Sequence, residues 1–133
     1  MGKSQRATVG ITFDFGHAYL ASKYFNFNFL KSVKTASPYI KHIHINDNFG
    51  CFEDARLLRS KQYEMKKYPG LLQLGQGDLH LPPGWGEVPL NEALEILNNY
   101  NGVFMMEYYS YRYRSYNKEI LEVAKGYVKQ HKT

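Results

Sequence analysis

Short segments with the two-residue alternation of β-strands recur along the chain, and segments with helical periodicity separate them. Strands are predicted over 8–14, 40–46 and 103–108. Helices are predicted over 24–36, over 90–98 and after Asn117, which we expect to cap the last helix with a stripe at 120, 121, 124, 127 and 128. Strands that alternate with helices are joined by right-handed crossovers and form a parallel sheet. The order therefore predicts an α/β fold.

A parallel sheet is normally covered on both faces, and three strands with helices on one side would leave the other face exposed. That face becomes an interior if the sheet is part of a closed barrel. The segment 47–85 is long and irregular, with a further helix predicted over 53–67. Because the chain contains no internal repeat and no low-complexity linker, we predict a single domain over 1–133.

Composition limits the function classes. The chain is 44% apolar and 22% charged, as in ordinary globular domains, and no segment approaches the roughly 18 apolar residues of a membrane span. The single cysteine, Cys51, excludes an internal disulfide and favours a reducing compartment, so we expect a cytoplasmic protein without a membrane partner. The net charge of +5 is compatible with an anionic partner, but lysines on exposed helix faces would produce the same excess.

Potential metal ligands lie at the end of each predicted strand. The first strand ends at Asp14 with His17 close behind, the second contains His44 followed by Asn46 and Asp47, and the third ends at Glu107. The carboxyl ends of parallel strands meet at one rim, so these side chains should converge. A lone histidine on a strand is more often structural, and Asp14 could simply cap a helix. Their coincidence at one rim favours a metal site.

The long loop supplies two further candidates, Asp78 and His80, which can fold over the same rim. Either could also be an ordinary polar loop residue. Carboxylate and imidazole ligands without thiolates suit Zn²⁺, Mn²⁺, Co²⁺ or Fe²⁺ and argue against a structural cysteine-type zinc site.

Four motifs carry a resemblance to a known family: TFDFGHA at 12–18, HIHINDN at 42–48, DLHLPPGWGE at 78–87 and ME at 106–107. In this order they resemble the xylose-isomerase-like TIM-barrel superfamily, in particular its sugar phosphate isomerases and epimerases. The superfamily also contains the zinc-dependent apurinic-site endonucleases (apurinic endonuclease type 2). The resemblance implies a (β/α)8 barrel of which this chain forms the C-terminal half, beginning near the fifth strand.

The same resemblance implies roles for individual residues. Asp14, His44 and Glu107 would bind a divalent ion (Mn, Zn, Co or Mg), and Glu107 would also be a catalytic acid or base. His17 would contact substrate or a second metal ion, and Asp78 and His80 match a pair that binds an additional zinc ion in the endonucleases. The family's other catalytic glutamate comes from an earlier strand, so this chain would lack it.

Three functions stay open at this point. The resemblance first implies a metal-dependent isomerase or epimerase of a sugar or sugar phosphate, which transfers a proton through an enediolate. LPPGWGE at 81–87 favours this branch. The second is an apurinic-site endonuclease-like phosphodiesterase that binds nucleic acid, favoured by Asp78, His80 and the run YYSYRYR at 108–114. In that run Arg112 and Arg114 are predicted to bind substrate, whether DNA or a sugar phosphate.

The third possibility is a catalytically incomplete fragment. A half barrel has two open strand edges and an uncovered inner face, and such edges pair with other chains. We therefore expect a homo-oligomer or a complex with a complementing N-terminal half-barrel.

Overall fold

The computed structural model describes residues 9–51 and 76–132, and all statements below concern these two ranges. Their strands are β1 Ile11–Asp14, β2 Ile40–Ile45 and β3 Phe104–Met106. Their α-helices are α1 Phe15–Phe25, α2 Phe29–Ala36, α3 Leu90–Ile96 and α4 Asn117–Lys132. Single 3₁₀ turns at Ser37–Tyr39 and Arg114–Tyr116 precede β2 and α4. The helix predicted over 53–67 lies outside the described residues.

The three strands form a parallel sheet with β2 in the centre. This confirms the predicted α/β fold with parallel strands, in the arrangement of a partial TIM barrel. The register places Asp14 of β1 beside His44 of β2 and His44 beside Met105 of β3. The carboxyl ends of the strands therefore lie side by side, which is the condition that the predicted site requires.

The hydrophobic core lies on one face of the sheet. Ile43 and Ile45 of β2 are fully buried there against Phe15, Val33 and Ala93 of the helices. Burial of an aliphatic or aromatic side chain of this size contributes about 1.5–3 kcal/mol, so this layer is the main source of stability.

The opposite face of the sheet is uncovered in the described part of the chain. Phe104 and Met106 pack against the core, whereas Val103 and Met105 are 60% and 44% exposed. Side chains therefore alternate between the two faces along residues 103–106. Ile11 of β1 is also 41% exposed, because the register shift between Ile11 and Thr12 interrupts the alternation of that strand.

The region after β1 differs from the prediction of one helix over 24–36. A helix starts directly after β1, with Asp14 as its N-cap accepting a hydrogen bond of 2.9 Å from the His17 backbone N–H. It ends at Asn26, whose φ of 55° is in the left-handed region that asparagine tolerates. Asn28 then caps α2 by accepting from the Lys31 backbone N–H at 2.9 Å. The sequence pattern does not predict α1, because a glycine and a serine are among its buried residues.

The final helix is confirmed, but its predicted cap is wrong. Asn117 has helical dihedral angles, φ −56° and ψ −35°, because the preceding 3₁₀ turn continues directly into α4, whereas an N-cap residue is non-helical. The Asn117 side-chain oxygen instead accepts a 2.9 Å hydrogen bond from the Tyr108 hydroxyl. Ile120 and Ala124 of the predicted stripe are buried, while Leu121 is exposed. No helix in the described ranges is both long and apolar enough to cross a membrane.

Candidate metal centre

Asp14, His44 and Glu107, which we call the first group, meet at the carboxyl end of the sheet. Each offers a ligand atom within 4.8 Å of the other two. His44 Nδ1 lies 3.0 Å from Glu107 Oε2 and 3.7 Å from Asp14 Oδ2. Glu107 follows β3, and its backbone N–H extends the ladder by donating to the Ile45 carbonyl at 2.8 Å. Strand geometry therefore fixes the backbone of all three residues.

The environment of Glu107 tests whether a cation fits the first group. Its Oε2 is buried and accepts no hydrogen bond from the described residues, although His44 Nδ1 is only 3.0 Å away. A buried carboxylate oxygen without a donor is costly, and a cation between the carboxylates and the imidazole would compensate that cost. The two carboxylates and one imidazole match the ligands of Zn²⁺ and Mn²⁺. The first group fits a divalent ion.

His17, Asp78 and His80 form a second group whose ligand atoms also lie within 4.8 Å of one another. Asp78 Oδ2 lies 2.7 Å from His17 Nε2 and 2.9 Å from His80 Nε2. The other ring nitrogen of His80, Nδ1, donates to the Glu107 carbonyl at 2.9 Å. In metal sites this hydrogen bond is the usual way to orient a histidine so that its second nitrogen faces the ion. His80 also has a φ of 44°, which is uncommon for a residue other than glycine.

The two groups are adjacent. His17 Nδ1 lies 3.5 Å from Asp14 Oδ2, and the His80 ring contacts the backbone of Glu107. Two residues of the first group, Asp14 and Glu107, therefore contact residues of the second group. The rings of His17 and His80 are in edge contact, with 5.6 Å between centroids. The structure thus brings together all five predicted metal ligands and His17 in one continuous polar network.

Charge within the second group is arranged as an ion pair. The hydrogen bond to Asp78 raises the pKa of His80 from 6.5 to about 9, despite the opposing effect of burial. Burial alone would raise the pKa of Asp78, but the hydrogen bond and positive charge of His80, together with those of His17, leave that pKa below its usual value. A metal ion bound to the second group would therefore have to displace a proton from His80.

Asn46, Asp47 and Asn48 follow β2 and are all fully buried. The expectation that Asp47 belongs with the metal-type ligands is wrong, because its carboxylate accepts from the backbone N–H groups of Asn48, Gly84 and Val88 at 2.9, 2.9 and 3.0 Å. Burial raises the pKa of Asp47, and these hydrogen bonds oppose that rise. A run of three polar residues directly after a buried strand was the available sequence signal for this structural role.

The predicted substrate residues Arg112 and Arg114 lie in the segment that leaves the rim after Glu107. The Arg114 guanidinium is positioned over the Tyr111 ring at 5.2 Å from its centroid. Nearby, Trp85 packs edge-on against Tyr113 and Tyr116 at 5.2 and 5.4 Å between centroids. An aromatic ring thus lies against Arg114, and the part of both arginines in substrate binding stays a prediction.

Comparison with known proteins identifies a family and one similar solved structure. The model of the family described as xylose isomerase-like TIM barrel matches residues 2–130. A solved structure described as a D-tagatose 3-epimerase-like protein is 27% identical, with 90% of this chain and 37% of that chain covered, at a TM-score of 0.49. The chain thus spans 37% of the length of that protein. No curated protein sequence matches the chain.

Proposed function

Because the chain belongs to the xylose isomerase-like TIM-barrel family, we propose that it carries part of the active site of a divalent-metal-dependent isomerase or epimerase of a sugar or sugar phosphate. The observation that supports this most strongly is the convergence of Asp14, His44 and Glu107, whose ligand atoms lie within 4.8 Å of one another. The ion would be Mn²⁺, Zn²⁺, Co²⁺ or Mg²⁺. Bound there, it would supply a Lewis acid that polarises the substrate carbonyl.

The chain's own residues would bind the ion and move the proton. Asp14 and His44 would hold the ion, since their side chains are only 11% and 30% exposed. The Glu107 side chain is 42% exposed and can reach a substrate, so it would take a proton from the carbon beside the carbonyl or return one to it. His17, 55% exposed, would donate a hydrogen bond to a sugar oxygen. Arg112 and Arg114 would hold the phosphate of a phosphorylated sugar.

Other protein segments would complete this site. The described sheet leaves Val103 and Met105 uncovered on the face that a closed barrel places inside. A complementing N-terminal half-barrel, or a second copy of this chain, would cover that face, and a complementing half-barrel would also contribute the second catalytic carboxylate. Sedimentation at several concentrations tests self-association, and a dilute monomer with no binding partner would count against this proposal.

Proton transfer can be tested by NMR as metal-dependent exchange of solvent deuterium into ketoses and ketose phosphates. We expect exchange with added Mn²⁺, loss of exchange with a chelator, and a rate at least about 100-fold lower in Glu107→Gln, the usual scale for loss of a general base. Glu122→Gln is the matched control, because Glu122 is 66% exposed and pairs with Lys125 on α4. Equal rates in the two variants, or no exchange by the wild type, would contradict the proposal.

The second group supports a second candidate, a zinc-dependent endonuclease acting at abasic sites. An additional ion at His17, Asp78 and His80 would place two ions at one site, as in enzymes that hydrolyse phosphodiesters. Cleavage of a duplex with one abasic site would support this candidate if Asp78→Asn abolished it. Deuterium exchange into a sugar that persists in Asp78→Asn would instead support the isomerase.

A further inference from the structure

Asn46 directly contacts Asp14, a proposed metal ligand. It is fully buried, and its Nδ2 donates to both carboxylate oxygens of Asp14, at 3.0 Å to Oδ1 and 3.2 Å to Oδ2. Asn46 Oδ1 is also buried and accepts no hydrogen bond from the described residues. An unsatisfied buried acceptor lowers stability, so its presence calls for a compensating role.

The orientation of the Asn46 amide is fixed by its surroundings. The opposite orientation would place its oxygen against the Asp14 carboxylate, and two acceptors would then repel each other. Its Oδ1 fills the space beside Gly16, where a β-carbon would overlap the Asn46 side chain. Gly16 lies inside α1 and has no positive φ, so the backbone does not require glycine there. Glycine at position 16 is explained by the space that Asn46 occupies.

These contacts determine which way the Asp14 carboxylate faces. Oδ1 accepts from the His17 backbone N–H at 2.9 Å and from Asn46 at 3.0 Å, and Oδ2 accepts the longer bond of 3.2 Å from Asn46. Oδ2 lies toward His44, 3.7 Å from its Nδ1. The backbone of α1 and the amide of Asn46 together hold the carboxylate with one oxygen directed at the proposed ion position.

We propose that Asn46 is a positioning residue of the metal centre, which presents Oδ2 of Asp14 to the ion, and that Gly16 is required to leave room for it. This inference rests on the proposed function, because it assumes that the ion binds the first group. Residues that hold metal ligands in place typically change metal affinity by about 10- to 100-fold when removed.

Metal affinity tests the proposal by isothermal titration of the whole chain with Mn²⁺. Asn46→Leu keeps a side chain of similar shape without the donor, and we expect its Kd to rise about 10- to 100-fold. Asn48→Ala is the matched control, because Asn48 is equally buried but donates to the Gly16 carbonyl at 2.9 Å. We expect its Kd to stay within about threefold of the wild type when both are folded by circular dichroism.

The outcomes separate this inference from the proposed function. If the wild type binds Mn²⁺ and Asn46→Leu binds it equally well, the positioning role is wrong while the metal site stands. If both variants lose affinity equally, the effect is a general disturbance of the rim and the positioning role is also wrong. If the wild type binds no Mn²⁺, the proposed function itself fails.

A thermal double-mutant cycle tests the steric part without metal. Gly16→Ala should lower the unfolding midpoint of the wild type, because the added β-carbon overlaps Asn46. In an Asn46→Ala background the same substitution should raise the midpoint by about 4 °C, because the nearest atoms are gone and alanine is the better helix former. A shift of the same sign in both backgrounds would overturn the proposed coupling.

Discussion

His80 is held at both ring nitrogens, Nδ1 by the Glu107 carbonyl and Nε2 by the Asp78 carboxylate. Only a donor can satisfy a carbonyl, so Nδ1 carries a proton and Nε2 is the nitrogen available to an ion. Asp14 likewise has two uses, because one oxygen caps α1 and the other faces His44. In both residues, the hydrogen bond on one side directs the ligand atom on the other.

The His80–Asp78 pair predicts a measurable titration in the metal-free protein. His80 should titrate near pH 9, because its hydrogen bond to Asp78 stabilises the charged ring. Its folded pKa lies above the unfolded value of 6.5, so the stabilisation is complete below pH 6.5 and is lost as the pH rises through about 9. An NMR titration of the histidine rings measures this value.

Asp78→Asn should return the His80 pKa toward 6.5, because it removes the carboxylate that raises it. Glu122→Gln, on the exposed surface of α4, should leave the titration unchanged. A wild-type His80 that titrates near 6.5, or one that Asp78→Asn does not affect, would show that the pair does not form in solution.

The convergence of the three proposed ligands was predictable from the sequence. The alternation of side chains along a strand and the parallel order of the strands determine the face and the end of the sheet at which each side chain lies. Asp14, His44 and Glu107 each lie at the end of a strand, and the structure brings them together. The contacts of Asn46 and Asp47 were not predictable in the same way. They depend on residues up to 41 positions away, Val88 among them, and local periodicity contains no information on such partners.

At the scale of elements and their connections, the segment 81–88 is held in place by Asp47, which lies in the loop after β2. Leu81 pairs with Asp47 through two backbone hydrogen bonds of 3.0 and 2.9 Å, and the Glu87 backbone N–H donates to the Asn48 carbonyl at 2.8 Å. The Asp47 carboxylate then accepts from backbone N–H groups within the turn. This segment follows His80 directly, so Asp47 also helps to place the second group.

Substitution of Asp47 by asparagine should remove one hydrogen bond from this segment, the one donated by the Gly84 backbone N–H. The asparagine oxygen can still accept from Val88, which bonds Oδ1, but the amide nitrogen would face the Gly84 N–H, which bonds Oδ2. Loss of a partly buried hydrogen bond costs about 1–2 kcal/mol, so exchange of the Gly84 amide hydrogen should accelerate about 5- to 30-fold.

Hydrogen exchange followed by NMR measures the effect, with the Val88 amide of the same protein as internal reference. Glu87→Gln, an exposed change in the same segment, is the control variant and should leave both amides as in the wild type. Equal acceleration of Gly84 and Val88, or none, would contradict the proposed role of the Asp47 carboxylate.

Element boundaries were less predictable than element order. The order of the described strands and helices follows the predicted alternation, because hydrophobic periodicity marks each buried face. Helix α1 was missed, since its buried residues Phe15, Tyr19 and Ser22 include a polar side chain and do not form an apolar stripe. The break between α1 and α2 depends on the left-handed backbone conformation of Asn26. An asparagine adopts this conformation in some contexts and not in others, so its presence in the sequence does not mark the break.

At the scale of the whole molecule, the described chain is a one-sided layer of helices on a three-stranded parallel sheet. The family match over residues 2–130 explains this shape as part of a barrel. Barrel closure requires neighbours for β1 and β3, and the proposed ligands lie at the carboxyl rim where active sites of such barrels are built. Strand order predicted the parallel sheet, whose bare face favours a closed barrel, and the family resemblance implied the (β/α)8 barrel itself.

The central claim is that the first group binds a divalent ion, and the most direct test is anomalous diffraction from crystals grown with Mn²⁺. We predict a peak at about 2.0–2.3 Å from ligand atoms of Asp14, His44 and Glu107, with further density at the second group if two ions bind. The peak at the first group should disappear in His44→Ala. Absence of a peak there in the wild type, or manganese bound only elsewhere, would contradict the account.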